Sequence, residues 1–237
     1  KKIDFVLPGL DFEIPIFAKY KQYIEKKTNS VIIVSTKKNV DIFNDKWRTV
    51  KFLKQNNINY PHSTLVNGLN SFMKKVPFPY VVKPRFGSTS KNVFHVTNKS
   101  ELQHAIKNCP KPIIQEYLNA PGNEYTCGSV YIKKKTISTI CLKRTLKNGN
   151  TNTATLKHGP KLNQLNSFIT RVTKIIKPFG PMNFQLCLVS RGPVIFEINP
   201  RFSGTTPIRC LFGLNEIDAI LSNLTKKNYN YKYKLKE

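Results

Sequence analysis

Two apolar runs decide the fold: Phe184-Gln185-Leu186-Cys187-Leu188, and Val194-Ile195-Phe196-Glu197-Ile198-Asn199-Pro200-Arg201. Side chains alternate between the two faces of a strand. Phe184, Leu186 and Leu188 therefore share one face, and Val194, Phe196 and Ile198 share one face of the next strand. Gln185, Glu197 and Asn199 then point the other way. A hairpin turning on Ser190-Arg191-Gly192, with glycine at the left-handed position, centres on residue 191 and sets Gln185 opposite Glu197. Two amide oxygens and one carboxylate, with no His or Cys, form a hard oxygen set that suits Mg²⁺ completed by phosphates and water. The polar outer face of an ordinary antiparallel sheet has the same pattern.

Working outward, Tyr80-Val81-Val82-Lys83 reads as a strand that runs through Pro84 into Arg85-Phe86-Gly87-Ser88-Thr89-Ser90-Lys91. That loop is small, polar and rich in backbone donors, a composition that can fold over phosphates. It is not a Walker loop, because the G-x-x-x-x-G-K-[ST] spacing is absent and Gly87 is its one glycine. Upstream, residues 3 to 7 and 31 to 34 read as strands around a helix capped by Asp11, with Phe17, Tyr20 and Ile24 at helical spacing. A second helix fits Asp45 to Gln55, and a strand fits Val93 to Val96. Ser100 and Gln103 have the pattern of a capping box opening a helix with Leu102, Ala105, Ile106 and Cys109 on one face. The rest is strand-rich: 113 to 117, 125 to 132, 136 to 142, then the two runs above. One strong helix carries Leu165, Phe168, Ile169, Val172, Ile175 and Ile176 and stops at Pro178; a last one turns Ile217, Ile220, Leu221 and Leu224 inward.

The 237 residues include 39 Lys+Arg and 13 Asp+Glu, a net charge of +26. With 40% hydrophobic residues, the chain has the core material of a globular protein and not of a disordered one. No apolar run approaches about 18 residues, which excludes a membrane-spanning helix and predicts a soluble, cytoplasmic protein. Five scattered cysteines of odd number argue against a disulfide framework and for a reducing compartment. The lysines are spread along the chain, clustering at 133 to 135 and in the tail from 226 to 236, and no aromatic RNP signature accompanies them. A solvated basic surface is therefore favoured over a nucleic-acid interface. His62, His95, His104 and His158 share no metal or catalytic spacing, and Ser203 lacks a nucleophile elbow. The opening strands and helix are one and a half βα units, so a fuller N-terminal domain is expected upstream of Lys1.

Tyr80 to Pro84 with the Gly87 to Ser90 loop, Gln115-Glu116-Tyr117-Leu118, Glu124, Asn183-Phe184-Gln185, and Phe196-Glu197-Ile198-Asn199-Pro200-Arg201-Phe202-Ser203-Gly204 occur in an order and spacing that resemble the ATP-grasp superfamily. The likeness is in particular to the carbamoyl-phosphate-synthetase-like carboxylate–amine ligases, over about residues 4 to 224. It implies an α/β (α+β) ATP-grasp fold: a partial Rossmann-like N-terminal domain over 1–44, an ATP-grasp domain over 45–224 with a lid at about 75–112 and a larger sheet at about 113–224, and a basic tail over 225–237. It implies that Lys83 and Lys46 hold ATP phosphates, that Ser88 and Ser90 cover them, that the Glu116, Tyr117 and Leu118 backbone holds adenine, and that Glu124 takes the ribose. Gln185, Glu197 and Asn199 would hold Mg²⁺, with Mn²⁺ able to substitute, and Arg201 would act with Lys83 on the acyl phosphate. The implied partners are a small-molecule or peptide carboxylate and an amine, with no membrane and with homodimerisation.

Two departures accompany the likeness. Thr89, Lys91 and Asn92 stand near positions where the family's loop commonly has glycine, and the N-terminal domain resembles only the latter part of the family's first domain, with Asp11 and Glu13 like its acidic pair after a strand. Lys143-Arg144 and Arg209 are candidates to clamp a substrate anion. The rival readings are a non-catalytic nucleotide-binding descendant and a basic nucleic-acid-binding protein on this fold.

Overall fold

The computed structural model describes residues 2–87, 91–147 and 149–225; Ser88, Ser90 and the basic tail from residue 226 lie outside the described residues. The chain opens with β1 (Phe5–Val6), α1 (Ile14–Thr28) and β2 (Val31–Ile32), the two strands pairing in parallel. Asp11 does not cap α1. Its carboxylate is taken by Arg201, and the helix begins three residues later with Pro15 in its first turn, where a missing N–H costs nothing. Ile14 and Ala18 pack on Ile32, Val34 and Val40.

Next comes α2 (Lys37–Phe43), a short helix capped by Thr36 that the polar sequence Lys37-Lys38-Asn39 does not advertise. Then follows α3 (Lys46–Gln55), the helix expected from Asp45 to Gln55; Asp45 is its cap and not its first residue, and accepts from the N–H groups of Trp47 and Arg48 at 3.0 and 3.3 Å. The same carboxylate holds the Arg85 guanidinium at 2.7 and 2.6 Å. Burial alone would raise its pKa, but Arg85 and the two N–H groups outweigh burial and hold it below the usual carboxylate value.

A four-stranded antiparallel sheet follows in the order β3 (Ser63–Leu65), β6 (Pro112–Glu116), β4 (Tyr80–Pro84), β5 (Phe94–Val96), with α4 (Leu69–Met73) and α5 (Lys99–Asn108) in the connections. Two expectations are corrected here. The N-cap of α5 is Asn98, which accepts from Glu101 N–H at 3.0 Å while the Glu101 carboxylate accepts from Thr97 N–H at 2.7 Å. The capping box thus lies two residues before Ser100 and Gln103. Strand 113–116, assigned from sequence to the larger sheet, belongs to this smaller one, because Ile114 packs with Tyr80 and Val82.

The larger sheet is antiparallel, in the order β11 (Gly192–Asn199), β10 (Gly180–Val189), β7 (Glu124–Ile132), β8 (Lys135–Lys147), β9 (Asn150–Thr155). β9, an Asn/Thr strand without apolar alternation, and the last residues of β8 have no counterpart in the sequence reading. α6 (Pro160–Ile176) lays Leu162, Leu165, Ile169, Val172 and Ile176 on Cys127, Cys141, Phe184 and Leu186. Each such burial contributes about 1.5–3 kcal/mol. The chain closes with α7 (Thr206–Leu211) and α8 (Glu216–Leu224) against the opposite face. No helix among the described residues is long and apolar enough to cross a membrane.

Gln185 does stand opposite Glu197, but not for the reason the sequence suggested. The turn has two residues, since Val189 pairs with Gly192, and an irregularity between Gln185 and Leu186 inserts one extra residue in the partner strand. That bulge restores the register and reverses the side-chain assignments of Ile195 and Phe196. Ile195 joins Ile198 in the core under α6, whereas Phe196, expected there, turns to the other side.

Candidate functional site

The smaller and larger sheets face each other across a cavity of about 520 Å³. Lys83 reaches it from the end of β4, and Glu116, Tyr117 and Leu118 from the end of β6; Glu124, Gln185 and Glu197 come from the larger sheet. A smaller space of about 150 Å³ adjoins it, lined by Asp11, Lys46, Gly87 and Asn199, with Phe196 and Glu197 lining both. The bulge that turned Phe196 outward places its ring 5.5 Å from the Lys83 ammonium.

Nearly all of the sequence-derived candidates in the described residues converge on these two spaces. Arg201 lines neither. Its Nε and second guanidinium nitrogen grip Asp11, and its third nitrogen donates to Phe202 O at 2.8 Å. Asp11 thus anchors the arginine beside the smaller space.

The hinge shows a division of labour. The Glu116 carboxylate accepts from His62 N–H at 2.9 Å and pairs with Arg191 in the β10–β11 turn, tying the end of β6 to the larger sheet. Tyr117 N–H is taken by Pro79 O at 3.1 Å. Leu118 N–H takes no hydrogen bond among the described residues, which leaves it for a ligand acceptor.

Arg144, read from sequence as a substrate clamp, is instead buried between two candidates. It donates to Glu124 Oε1 at 3.0 and 2.5 Å and to Gln185 Oε1 at 2.9 Å. Arg209, the other clamp candidate, is fully buried and held by Glu216, so it cannot meet a substrate. Cys187 lines the larger cavity. Burial, with Glu124 adding to it, pushes its thiol up to about 12, which keeps it protonated and unreactive at neutral pH. Phe196, Cys187 and the pairing of Arg144 were missed. Strand alternation from Gln185 pointed to Cys187, but nothing local signals the bulge.

Electrostatically the site sets Lys83 and Lys46 against nearby carboxylates, Glu197 first among them. Burial first, opposed by Glu197 and helped by Lys46, depresses Lys83 to about 8. Lys46 is also lowered, by burial first, with Glu197 and Asp11 opposing; its ammonium donates to Gly87 O at 2.5 Å. Among the described residues there is no group of three His, Cys, Asp or Glu side chains to hold a metal. Glu197, Asn199 and Gln185 are the hard oxygen donors on these two spaces that could hold Mg²⁺, with Gln185 Oε1 already accepting from Arg144 at 2.9 Å. Asn199 spends its amide nitrogen on Glu197 Oε1 at 2.9 Å, which leaves its oxygen as the ligand atom. One carboxylate and two amides are too little charge to hold Mg²⁺ alone, so anionic oxygens from a ligand must complete the shell.

The family model for the ATP-grasp domain matches residues 43–205. The carbamoyl phosphate synthase large chain of Caldanaerobacter subterraneus subsp. tengcongensis is 25% identical over an alignment of 197 positions that covers 76% of this chain and 18% of that one. The chain therefore spans less than a fifth of that curated relative. The biotin carboxylase domain of Hydrogenobacter thermophilus 2-oxoglutarate carboxylase, solved with MgADP, ADP and bicarbonate, matches with a TM-score of 0.75 at 14% identity, over 96% of this chain and 55% of that one. The VanG D-Ala:D-Ser ligase of Enterococcus faecalis matches with 0.73 at 18% identity, over 95% of this chain and 74% of that one. At such identities the structural likeness establishes the fold.

Proposed function

The chain belongs to the ATP-grasp domain family, and from that premise we propose that it is an ATP- and Mg²⁺-dependent ligase that joins a carboxylate to an amine, releasing ADP and phosphate. The observation that carries this reading is the facing of Lys83 and Lys46 against Glu197, Asn199 and Gln185 across the two adjoining cavities. That is a cradle for a polyphosphate with its metal. The Leu118 N–H supports an adenine at the hinge, and Glu124 supports the ribose, since Arg144 takes only its Oε1.

In this reading the carboxylate oxygen of the acid attacks the γ-phosphorus, the bond to ADP breaks, and an acyl phosphate forms. The amine then attacks the acyl carbon, phosphate leaves, and the amine loses a proton. Bound Mg²⁺ supplies charge neutralisation on the phosphate oxygens. The protein positions and neutralises: Lys83 and Lys46 on the phosphates, and Arg201, fixed by Asp11, near the charge that builds on the acyl group. Mn²⁺ is expected to replace Mg²⁺, because the donor set is all oxygen.

Lys83 gives the test a pH signature. Free, it titrates at about 8; phosphate oxygens favour its charged form and raise that value, so binding must take up a proton above pH 8 and none well below it. Calorimetric titration with Mg²⁺ and a non-hydrolysable ATP analogue in buffers of different ionisation enthalpy reads this directly. The Lys83→Met chain should lose the uptake and about 1.5–3 kcal/mol of affinity, roughly ten- to hundredfold. Binding that is equal in both chains, with no uptake in either, refutes the assignment of Lys83. ADP release that depends on an added acid and amine tests the ligase step.

A further inference from the structure

Tyr125 pairs with Lys143 across β7 and β8, so one step further along the ladder Glu124 and Arg144 stand opposite each other, and both line the larger cavity. The arginine is nearly closed off, with 8% of its side chain exposed, whereas the glutamate keeps 26%. Nε and one terminal nitrogen of Arg144 both donate to Glu124 Oε1, at 3.0 and 2.5 Å. That terminal nitrogen also donates to Gln185 Oε1 at 2.9 Å, and the other one to Thr151 Oγ1 at 3.4 Å. The guanidinium is held on every side.

Its grip on Glu124 is uneven. An arginine and a carboxylate often meet fork to fork, one N–H to each oxygen, but here two N–H groups converge on Oε1. An oxygen with two lone pairs is thereby spent. No hydrogen bond reaches Oε2 among the described residues, and the residue paired with Glu124 on the strand's other side is Cys187, whose thiol is a weak donor. Glu124 therefore presents one oxygen to a ligand.

Two vicinal hydroxyls need two carboxylate oxygens to be read equally. A single oxygen lies in line with one of them, and the neighbouring hydroxyl reaches it only at a poor angle. Arg144 cannot withdraw to free Oε1, because a guanidinium this buried would lose its counter-charge. Resting on the nucleotide reading of the cavity, we infer that Arg144 is a positioning residue that sets specificity: by occupying Oε1 it restricts Glu124 to one ribose hydroxyl, so that the chain accepts an adenine nucleotide lacking the other.

The test is calorimetric titration of the chain with Mg²⁺ and ADP, 2′-deoxy-ADP, 3′-deoxy-ADP or 2′,3′-dideoxy-ADP. One single-deoxy nucleotide should bind within about threefold of ADP and the other at least about tenfold more weakly, the loss expected for one hydrogen bond to a charged oxygen. Removing both hydroxyls should cost no more than the worse single removal. In Arg144→Met, which frees Oε1, each single removal should weaken binding relative to ADP. A purely structural Arg144 would lower all four affinities together and leave their ratios unchanged, which overturns the inference. So does a wild-type chain in which each single removal costs tenfold, a result that needs no variant. If ADP binds and neither hydroxyl matters, Glu124 is not on the ribose, and the inference falls while the phosphate and metal site stands. No binding of Mg²⁺ and ADP to the folded chain removes the nucleotide reading itself, and this inference with it.

Discussion

Replacing Glu197 by alanine is expected to reduce Mg²⁺-dependent nucleotide turnover by on the order of 10²- to 10³-fold while the chain stays folded. Glu197 is the one carboxylate of the proposed metal set, and it lines both spaces of the site. It also opposes the depression of Lys83 and of Lys46. Its removal therefore acts twice: the metal loses its charged protein ligand, and Lys83 falls below about 8, so that less of it is charged at neutral pH. The second effect can be separated from the first. Mn²⁺ affinity in the presence of ADP, read by electron paramagnetic resonance, should collapse at every pH, whereas nucleotide affinity without metal should fall more at pH 8 than at pH 6. The fold should persist, since Glu197 is half-buried and its hydrogen bond is to Asn199, two residues away in the same strand. Unchanged turnover and unchanged Mn²⁺ binding would show that the metal site lies elsewhere.

How much of this could be read from the chain differs by the range of the interaction. Gln185, Glu197 and Asn199 were legible because they are polar positions in strands that are otherwise apolar, and period-two alternation is a local property. The helix from Asp45 to Gln55 was legible too, because helical periodicity is equally local. The hairpin register came out right through two departures that cancel, a turn one residue shorter and a bulge one residue longer. The sides of Ile195 and Phe196 betray it. What was not legible depends on partners far away in sequence: β6 beside β4 and not in the larger sheet, Arg144 drawn onto Glu124 twenty residues earlier, Asp11 claimed by Arg201 rather than by its own helix. Arg209 is the sharpest case. An arginine after a polar loop looks like a substrate contact, and no sequence pattern says that it lies at the centre of a closed network.

That network carries the second large effect. Arg209 donates from Nε to Glu216 Oε1 at 2.8 Å, and from its other nitrogens to Thr205 Oγ1 at 2.6 Å, Ser203 Oγ at 3.0 Å, Thr206 Oγ1 at 3.0 Å and Asn183 Oδ1 at 3.2 Å. Both members of the ion pair are out of solvent, at 0% exposure. β7 passes so close that a Cβ on Gly128 would sit 2.2 Å from Glu216 Oε1 and 2.4 Å from Arg209 Nε, which is why glycine stands there. Glu216→Ala leaves the guanidinium buried with neutral partners alone, a situation that costs about 3–5 kcal/mol. For a domain of this size that is a fall in Tm of roughly 6–20 °C. Replacing both partners by apolar residues, Arg209→Met with Glu216→Leu, should recover most of the loss, because the expense lies in the unpaired charge and not in the missing bond. Since Asn183 pairs directly with Asn199 across β10 and β11, the weakened chain should also bind Mn²⁺·ADP less tightly before it unfolds. The double variant should recover stability more fully than binding, because it lacks the hydrogen bond that fixes Asn183. Denaturation of the three chains reads the first claim and metal titration the second; a loss under about 1 kcal/mol in Glu216→Ala would mean that solvent reaches the pair.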